Sequence, residues 1–182
     1  MPLAVTETTP IPSPVAPSSG DLLLPIDFVS QRPYRNLCWA ACGSMVLQYY
    51  HVANSSLLEV ASRVLGHDCT ASPSGCDTAI WPETMYQSYN FSCDKAAGPL
   101  TPHSIRAFIS ALQPVQPYLQ WADDEGNHTI LIIGSYSNGD VYVLDPWWGV
   151  GRQSYQSVLY AYNRGTWQAT WCNIRPSDAA VA

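Results

Sequence analysis

Gln31-Arg-Pro-Tyr-Arg-Asn-Leu-Cys38-Trp39-Ala40-Ala41-Cys42 places a cysteine, Cys38, at the start of a strongly helical segment. A side chain there meets the positive end of the helix dipole and backbone N–H groups with no carbonyl one turn back. That setting favours the thiolate, which is the nucleophilic form of cysteine. By residue type alone, a cysteine in an apolar helix is a small core residue. Position is what separates Cys38 from Cys42, which lies one turn on and reads as core or as half of a disulfide. Gln31 sits seven residues before Cys38. Its amide, beside the Cys38 backbone N–H, would supply the two donors of an oxyanion hole; taken alone it is a surface glutamine.

Working outward, the first half of the chain reads helical. Trp39, Cys42, Met45, Val46 and Tyr49 keep a 3.6-residue spacing from Cys38 to Tyr50. Ser56-Leu57-Leu58-Glu59 is a capping-box pattern, and the run that follows stops at Gly66. Pro82 opens a short helix through Tyr89. Thr101-Pro102 supplies a cap and a first-turn proline ahead of the stripe Ile105, Phe108, Ile109 and Leu112. The second half reads as strand: Pro117 to Trp121, His128 to Tyr136, Val141 to Asp145, and Thr166 to Ile174. The His128 segment is β-branched and nearly continuous, as for a strand buried on both faces. Ser137-Asn138-Gly139-Asp140 marks a hairpin. Helices followed by sheet predict an α+β domain of two lobes, with a cleft between them.

A histidine and a carboxylate lie at the edges of these strands. His128 follows the polar loop Asp123-Asp124-Glu125-Gly126-Asn127 and so begins its strand at a sheet rim. His51, His67 and His103 lie at helix ends or in loops with no matching partner. Asp145 closes the next strand, where it also reads as a turn residue before Pro146. A two-residue turn at Asn138-Gly139 pairs Ile132 with Asp145, which leaves His128 four residues out of register. A turn centred on Tyr136-Ser137 sets His128 opposite Asp145. A His–Asp contact therefore predicts the second register, or a bulge that achieves it. Trp147 and Trp148 follow at once, placed to cover the pair.

Composition narrows the partners. The chain has 182 residues, 47% of them hydrophobic, enough for one cored domain with a modest tail. A net charge of −6 argues against nucleic acid and against anionic membrane surfaces. No apolar stretch is long enough to span a bilayer. Residues 1–21 are rich in Pro, Ser and Thr, with no basic segment leading into an apolar run, so no signal peptide of that kind is read. This stretch is expected to be a disordered tail, with a cleavable leader, a propeptide or a specialised secretion signal as alternatives. Location therefore stays open between secretion by a specialised route and the cytoplasm. The six cysteines are Cys38, Cys42, Cys69, Cys76, Cys93 and Cys172. Cys69 and Cys76 bracket a turn-rich loop that a disulfide could close. With no C-x-x-C pair, no metal site is expected, and no cofactor.

Gln31…Cys38-Trp39-Ala40-Ala41, then Asn127-His128 with the apolar run to Gly134, then Val143-Leu144-Asp145-Pro146-Trp147 together resemble the papain-like cysteine proteases. The resemblance is to the compact bacterial branch, which includes plant-pathogen effector proteases and relatives of the bacteriocin-leader peptidases. It spans roughly Leu24 to Trp171. Two departures concern the site residues. The Gln31–Cys38 gap is one residue longer than in papain, and Asp145 stands where papain has asparagine, although aspartate is usual in the bacterial branch. The resemblance implies a papain-like two-lobe domain over residues 22–176, followed by a short tail, 177–182. Its N-terminal helical lobe would carry Cys38, and its C-terminal antiparallel β lobe His128 and Asp145. It implies a bacterial thiol endopeptidase, secreted or an effector, acting as a monomer on protein or peptide substrates. Its catalytic residues would be Cys38, His128 and Asp145, with Gln31 in the oxyanion hole and Trp39 and Trp147 shielding the site. The same residues would also serve an acyl transferase, transpeptidase or amidase. A non-catalytic binding module on this scaffold is the remaining alternative.

Overall fold

Short caps and apolar stripes build the helical half. In the computed structural model, which describes residues 20–122 and 126–177, α1 (Cys38–Tyr49) is buried along most of its length. It is an interior helix, apolar all round, and depends on its neighbours rather than on side-chain caps. Before it lies only the two-residue strand β1 (Leu22–Leu23). In α2 (Leu57–Leu65), Glu59 accepts the Ser56 backbone N–H at 3.0 Å, and Gly66 ends the helix in the left-handed conformation at φ 76°. A 3₁₀ turn (Pro73–Cys76) leads to α3 (Pro82–Ser88). Gly43 of α1 lets the two helices close together, since a Cβ there would lie 2.5 Å from the Met85 methyl. In α4 (Pro102–Ser110), the Thr101 hydroxyl accepts the Ser104 N–H at 3.2 Å. Among the described residues no helix is long and apolar enough to cross a membrane.

The strands are β2 (Phe91–Ala97), β3 (Gln116–Trp121), β4 (Asn127–Thr129), β5 (Leu131–Ser135), β6 (Val141–Asp145), β7 (Gly149–Gln153) and β8 (Gly165–Pro176). A short α5 (Tyr155–Leu159) precedes the last. They form two antiparallel sheets, ordered β1-β5-β6-β7 and β2-β8-β3-β4. The class is α+β, with helices gathered early and most strands late. β2 breaks that order: it falls between α3 and α4 and pairs with the far end of the chain.

The single strand expected from His128 to Tyr136 is two strands in different sheets. β4 pairs with β3, whereas β5 pairs with β6, and Ile130 lies between them. The hairpin register is neither of the two expected. Leu131 faces Leu144, a bulge intervenes after Ile132, and Ser135 faces Val141. Continuing the Leu131–Leu144 register sets Asp145 against residue 130. His128 therefore meets Asp145 from across the seam between sheets, not from within one sheet.

Of the expected tails, residues 1–19 and 178–182 lie outside the described residues, as do Asp123, Asp124 and Glu125 of the polar loop. Gly165, where β8 begins against the end of β3, has no room for a side chain. A Cβ there would come within 1.9 Å of the Gln120 carbonyl oxygen. Both neighbours are backbone in a paired strand, so neither can rotate away. Gly165→Ala should cost about 3 kcal/mol of folding stability by overpacking, read as a lower urea midpoint at unchanged slope. A wild-type midpoint would contradict this reading of the β3–β8 contact.

Candidate active site

α1 begins at Cys38, so the Cys38 N–H belongs to the first turn, whose amides have no carbonyl one turn back. α1 packs against β4, and β4 carries His128. His128 and Asp145 are both buried, with Nε2 of the imidazole 2.7 Å from the Asp145 Oδ1. Cys38, the first residue of α1, is near enough to the ring to favour its protonated form. Because Nε2 is taken by the carboxylate, Nδ1 is the nitrogen left for Cys38. Residues from α1, β4 and β6 are thus brought to one place, with the His128–Asp145 pair in direct contact. Burial pulls the His128 pKa down; the Asp145 charge and hydrogen bond, helped by Cys38, outweigh it and raise it to about 10. The carboxylate favours the protonated ring.

Asp145 is both of the things its sequence context suggests. As a turn residue, its Oδ1 accepts the backbone N–H groups of Trp147 at 2.9 Å and Trp148 at 3.1 Å. As an ionic partner, the same oxygen takes the His128 contact, while Oδ2 accepts the Tyr162 hydroxyl at 3.2 Å. Four donors fix this carboxylate and satisfy it where it is buried.

The loop before Cys38 is tied to the turn after Asp145. Gln31 donates its backbone N–H to the Pro146 carbonyl at 3.0 Å, Ser30 donates its hydroxyl to the same oxygen at 3.3 Å, and the Arg32 Nε donates to the Trp147 carbonyl at 2.9 Å. Gln31 is itself buried. Its Nε2 donates to the carbonyls of Tyr34 at 2.9 Å and Arg35 at 3.1 Å, while its Oε1 has no partner among the described residues. Both amide hydrogens are therefore engaged within the loop, and neither is free at rest to meet a third oxygen.

The aromatic rings are arranged differently from the order expected along the chain. The ring stacked on His128 is Trp121, with centroids 5.8 Å apart and planes 19° from parallel. Trp147 instead lies under the Arg32 guanidinium at 4.9 Å. Trp39 is buried and donates its indole N–H to the Thr78 carbonyl at 2.8 Å. Trp121 ends β3 just before the polar loop, and its place opposite the start of β4 depends on a pairing that the sequence does not display. Tyr162 lies in a three-residue left-handed run, Ala161 to Asn163, that carries no turn motif.

A cavity of about 730 Å³ opens beside the site, lined by Gln31, Asn36, Trp121, Asn127, Trp147 and Arg164. Trp121 stacks on the His128 ring, and Asn127 is the chain neighbour of His128. Cys42, fully buried behind Cys38, donates its thiol to the Thr129 carbonyl. Burial first, then the neighbouring Cys38 and Asp145 charges, push its pKa well up, so it stays a neutral thiol. Cys69 and Cys76 form a disulfide, whereas Cys38, Cys42, Cys93 and Cys172 are free. Among the described residues, His67, Cys69 and Cys76 form a group of metal-ligand types, but both sulfurs are spent on the disulfide.

The family model described as papain-like cysteine protease AvrRpt2 matches residues 20–164. No curated protein matches the chain by sequence. Among solved structures, it is similar to a putative C39-like peptidase from Bacillus anthracis, at 16% identity and a TM-score of 0.56, over 86% of this chain and 99% of that one. It is also similar to a digestive procathepsin L 3 of Tenebrio molitor, at 13% identity and a TM-score of 0.52, over 90% of this chain and 73% of that one. A double glycine motif protease from an AMS/PCAT transporter, solved in complex with the leader peptide, aligns at 18% identity and a TM-score of 0.49, over 85% and 94% of the two chains.

Proposed function

Because the chain belongs to the AvrRpt2 family of papain-like cysteine proteases, we propose that it cleaves internal peptide bonds through a Cys38–His128–Asp145 triad and a thioester acyl-enzyme. The observation that carries this reading is the buried His128–Asp145 contact, Nε2 to Oδ1 at 2.7 Å, which leaves Nδ1 as the ring nitrogen for nearby Cys38. Nucleophile, base and orienter then stand in the order that covalent acyl transfer needs.

The Cys38 thiolate attacks the substrate carbonyl carbon, and the carbonyl electrons move onto oxygen. The Cys38 N–H and the Gln31 amide stabilise that oxyanion; one Gln31 hydrogen leaves its loop carbonyl to do so. His128 Nδ1 gives its proton to the departing amine as the C–N bond breaks. Water then attacks the thioester, with His128 Nδ1 taking its proton, and the acid product leaves as Cys38 returns to thiolate. Asp145 holds the ring in the orientation that serves both proton transfers. Trp121 covers one face of the ring and keeps water from it. The domain extends over residues 22–176, and the protein acts as a monomer.

Gln31→Ala should lower kcat on the order of 10²-fold with little change in KM, since the lost bond matters chiefly in the transition state. Unchanged kcat would confine Gln31 to holding its loop. The proposal as a whole is tested by digesting a peptide library and reading product masses with and without an added amine. Internal cleavage with gain of one water per bond is the expected result. Trimming only at chain ends contradicts the endopeptidase reading, and capture of most acyl groups by the amine makes the enzyme a transferase.

A further inference from the structure

We infer that the Cys69–Cys76 disulfide is a thiol–disulfide exchange site for a small-molecule thiol of the glutathione class, and that its redox state controls the nucleophile loop. The second half of this inference rests on the protease reading above; the first does not.

The exchange chemistry rests on His67. Its Nε2 lies 3.1 Å from the Cys76 sulfur, and its Nδ1 is 3.3 Å from the Leu65 carbonyl oxygen. A bond from Nδ1–H to that carbonyl turns Nε2 onto the sulfur. Cys76 is therefore the sulfur equipped to leave. A thiolate from the reductant attacks the Cys69 sulfur; the new S–S bond forms as the Cys69–Cys76 bond breaks. The electron pair goes to Cys76, which accepts the proton from Nε2 of the imidazolium. A second reductant thiolate attacks the mixed disulfide, releasing the oxidised dimer of the reductant and the Cys69 thiolate, which takes a proton from water. Two thiols thus supply the two electrons.

Both cysteines are buried, but the loop between them, residues 70–75, is mostly exposed. A second cavity of about 610 Å³ is lined by His67 and by Asp68 and Thr70, the two chain neighbours of Cys69, together with Ser62 and Gly66 among others. A thiol reaches the disulfide from this side by displacing the short loop. The site lies apart from the cleft described above; none of these residues lines it.

The link to Cys38 is a continuous run of short contacts. Ser62 of α2 donates its hydroxyl to the Leu58 carbonyl at 2.7 Å and accepts the Cys69 N–H at 2.8 Å. The disulfide passes this anchor to Cys76. The next residue, Asp77, accepts the Asn36 N–H at 2.6 Å and the Arg35 N–H at 3.1 Å, and its carbonyl accepts the Asn36 side-chain amide at 3.0 Å. Thr78 then holds the Trp39 indole. Residues 77 and 78 thus cradle both sides of the nucleophile, and the disulfide fastens that cradle to α2. Opening it removes the covalent tie between that cradle and the Ser62-anchored end of α2.

Two measurements test this. In a Cys38→Ser background, which removes the reactive nucleophile, reduction by glutathione is followed by alkylation and mass. His67→Asn should slow it at least about threefold, through a poorer leaving sulfur; an equal rate overturns the exchange site. Because no turnover is read, this holds even if the protease reading fails. Separately, kcat and KM are compared for the oxidised enzyme, Cys69→Ser/Cys76→Ser and Asp77→Ala. Both variants should lose about 10-fold in kcat through misplacement of Cys38, and oxidised His67→Asn should keep full activity. Asp77→Ala reads the same latch with the disulfide intact, and so decides the point if the double variant does not fold. Full kcat in Asp77→Ala, or in a folded double variant, overturns the regulatory link.

Discussion

Cys38→Ala and His128→Ala should each reduce peptide hydrolysis by about 10⁴-fold or more, with the fold intact. In the proposed mechanism Cys38 is the group that bonds to the substrate, and alanine offers no replacement. In the same mechanism His128 serves both proton transfers. Combining the two substitutions should cost little more than either alone, because residues that act as a unit fail together. Thermal melts separate loss of chemistry from loss of fold. Cys38→Ala removes a small side chain that borders the cleft, so its midpoint should stay near wild type. His128→Ala leaves the buried Asp145 without its imidazole partner and should melt lower. Residual turnover above about 10⁻³ of wild type in Cys38→Ala would exclude Cys38 as the nucleophile.

The second large effect belongs to Asp145, and it has a pH signature. Asp145→Ala should cut kcat/KM on the order of 10²-fold or more and destabilise the fold by about 3 kcal/mol. It strands the Trp147 and Trp148 N–H groups and the Tyr162 hydroxyl as well as His128. Asp145→Asn is the sharper probe. An asparagine oxygen can still accept from the ring and from the turn, so orientation survives, while the charge that raises the His128 pKa to about 10 is lost. The alkaline limb of kcat/KM, set by loss of the imidazolium proton, should therefore move to lower pH in Asp145→Asn. An unmoved limb would mean that the carboxylate charge does not govern His128.

The same shift has a consequence for stability. Unfolded histidine titrates near ~6.5, and folded His128 near about 10. Its stabilising contribution is complete below the lower value, because both states are then protonated. Between the two values the folded state binds more protons than the unfolded, so stability falls as pH rises. Wild type should lose more of its melting midpoint between pH 7 and pH 10 than His128→Ala does; parallel declines would contradict the raised pKa.

How far these residues could be read in advance depended on how local their signals were. The Ser56–Glu59 capping box and the Gly66 stop are complete within one helix, and both are formed. The strand ending at Asp145 has the bounds that the hairpin signal before it suggests. β2 was hidden because only Phe91 among its residues is fully buried. An edge strand with Ser, Asp and Lys in it shows no period, and its partners in β8 lie more than 70 residues further along the chain. The break at Ile130 was hidden for the opposite reason: residues 129 to 135 are buried throughout, so nothing in their hydrophobicity marks where one sheet ends and the next begins. That break is what brings His128 to Asp145 despite the unfavourable hairpin register. Trp121 and Tyr162 enter the site only through tertiary contacts. Their sequence neighbourhoods hold no motif that would have nominated them.

The central claim is that Cys38 and His128 act as a thiolate–imidazolium pair. Its most direct test is the rate of carboxamidomethylation by iodoacetamide at pH 6, read by intact mass and peptide mapping, in wild type and His128→Ala. Free thiols of ordinary acidity are almost wholly protonated at that pH and react slowly. Buried Cys42 and half-buried Cys93, both pushed up in pKa, serve as internal references. The account predicts rapid labelling confined to Cys38 and markedly slowed by His128→Ala. Slow labelling spread over several cysteines, unchanged by His128→Ala, would contradict it.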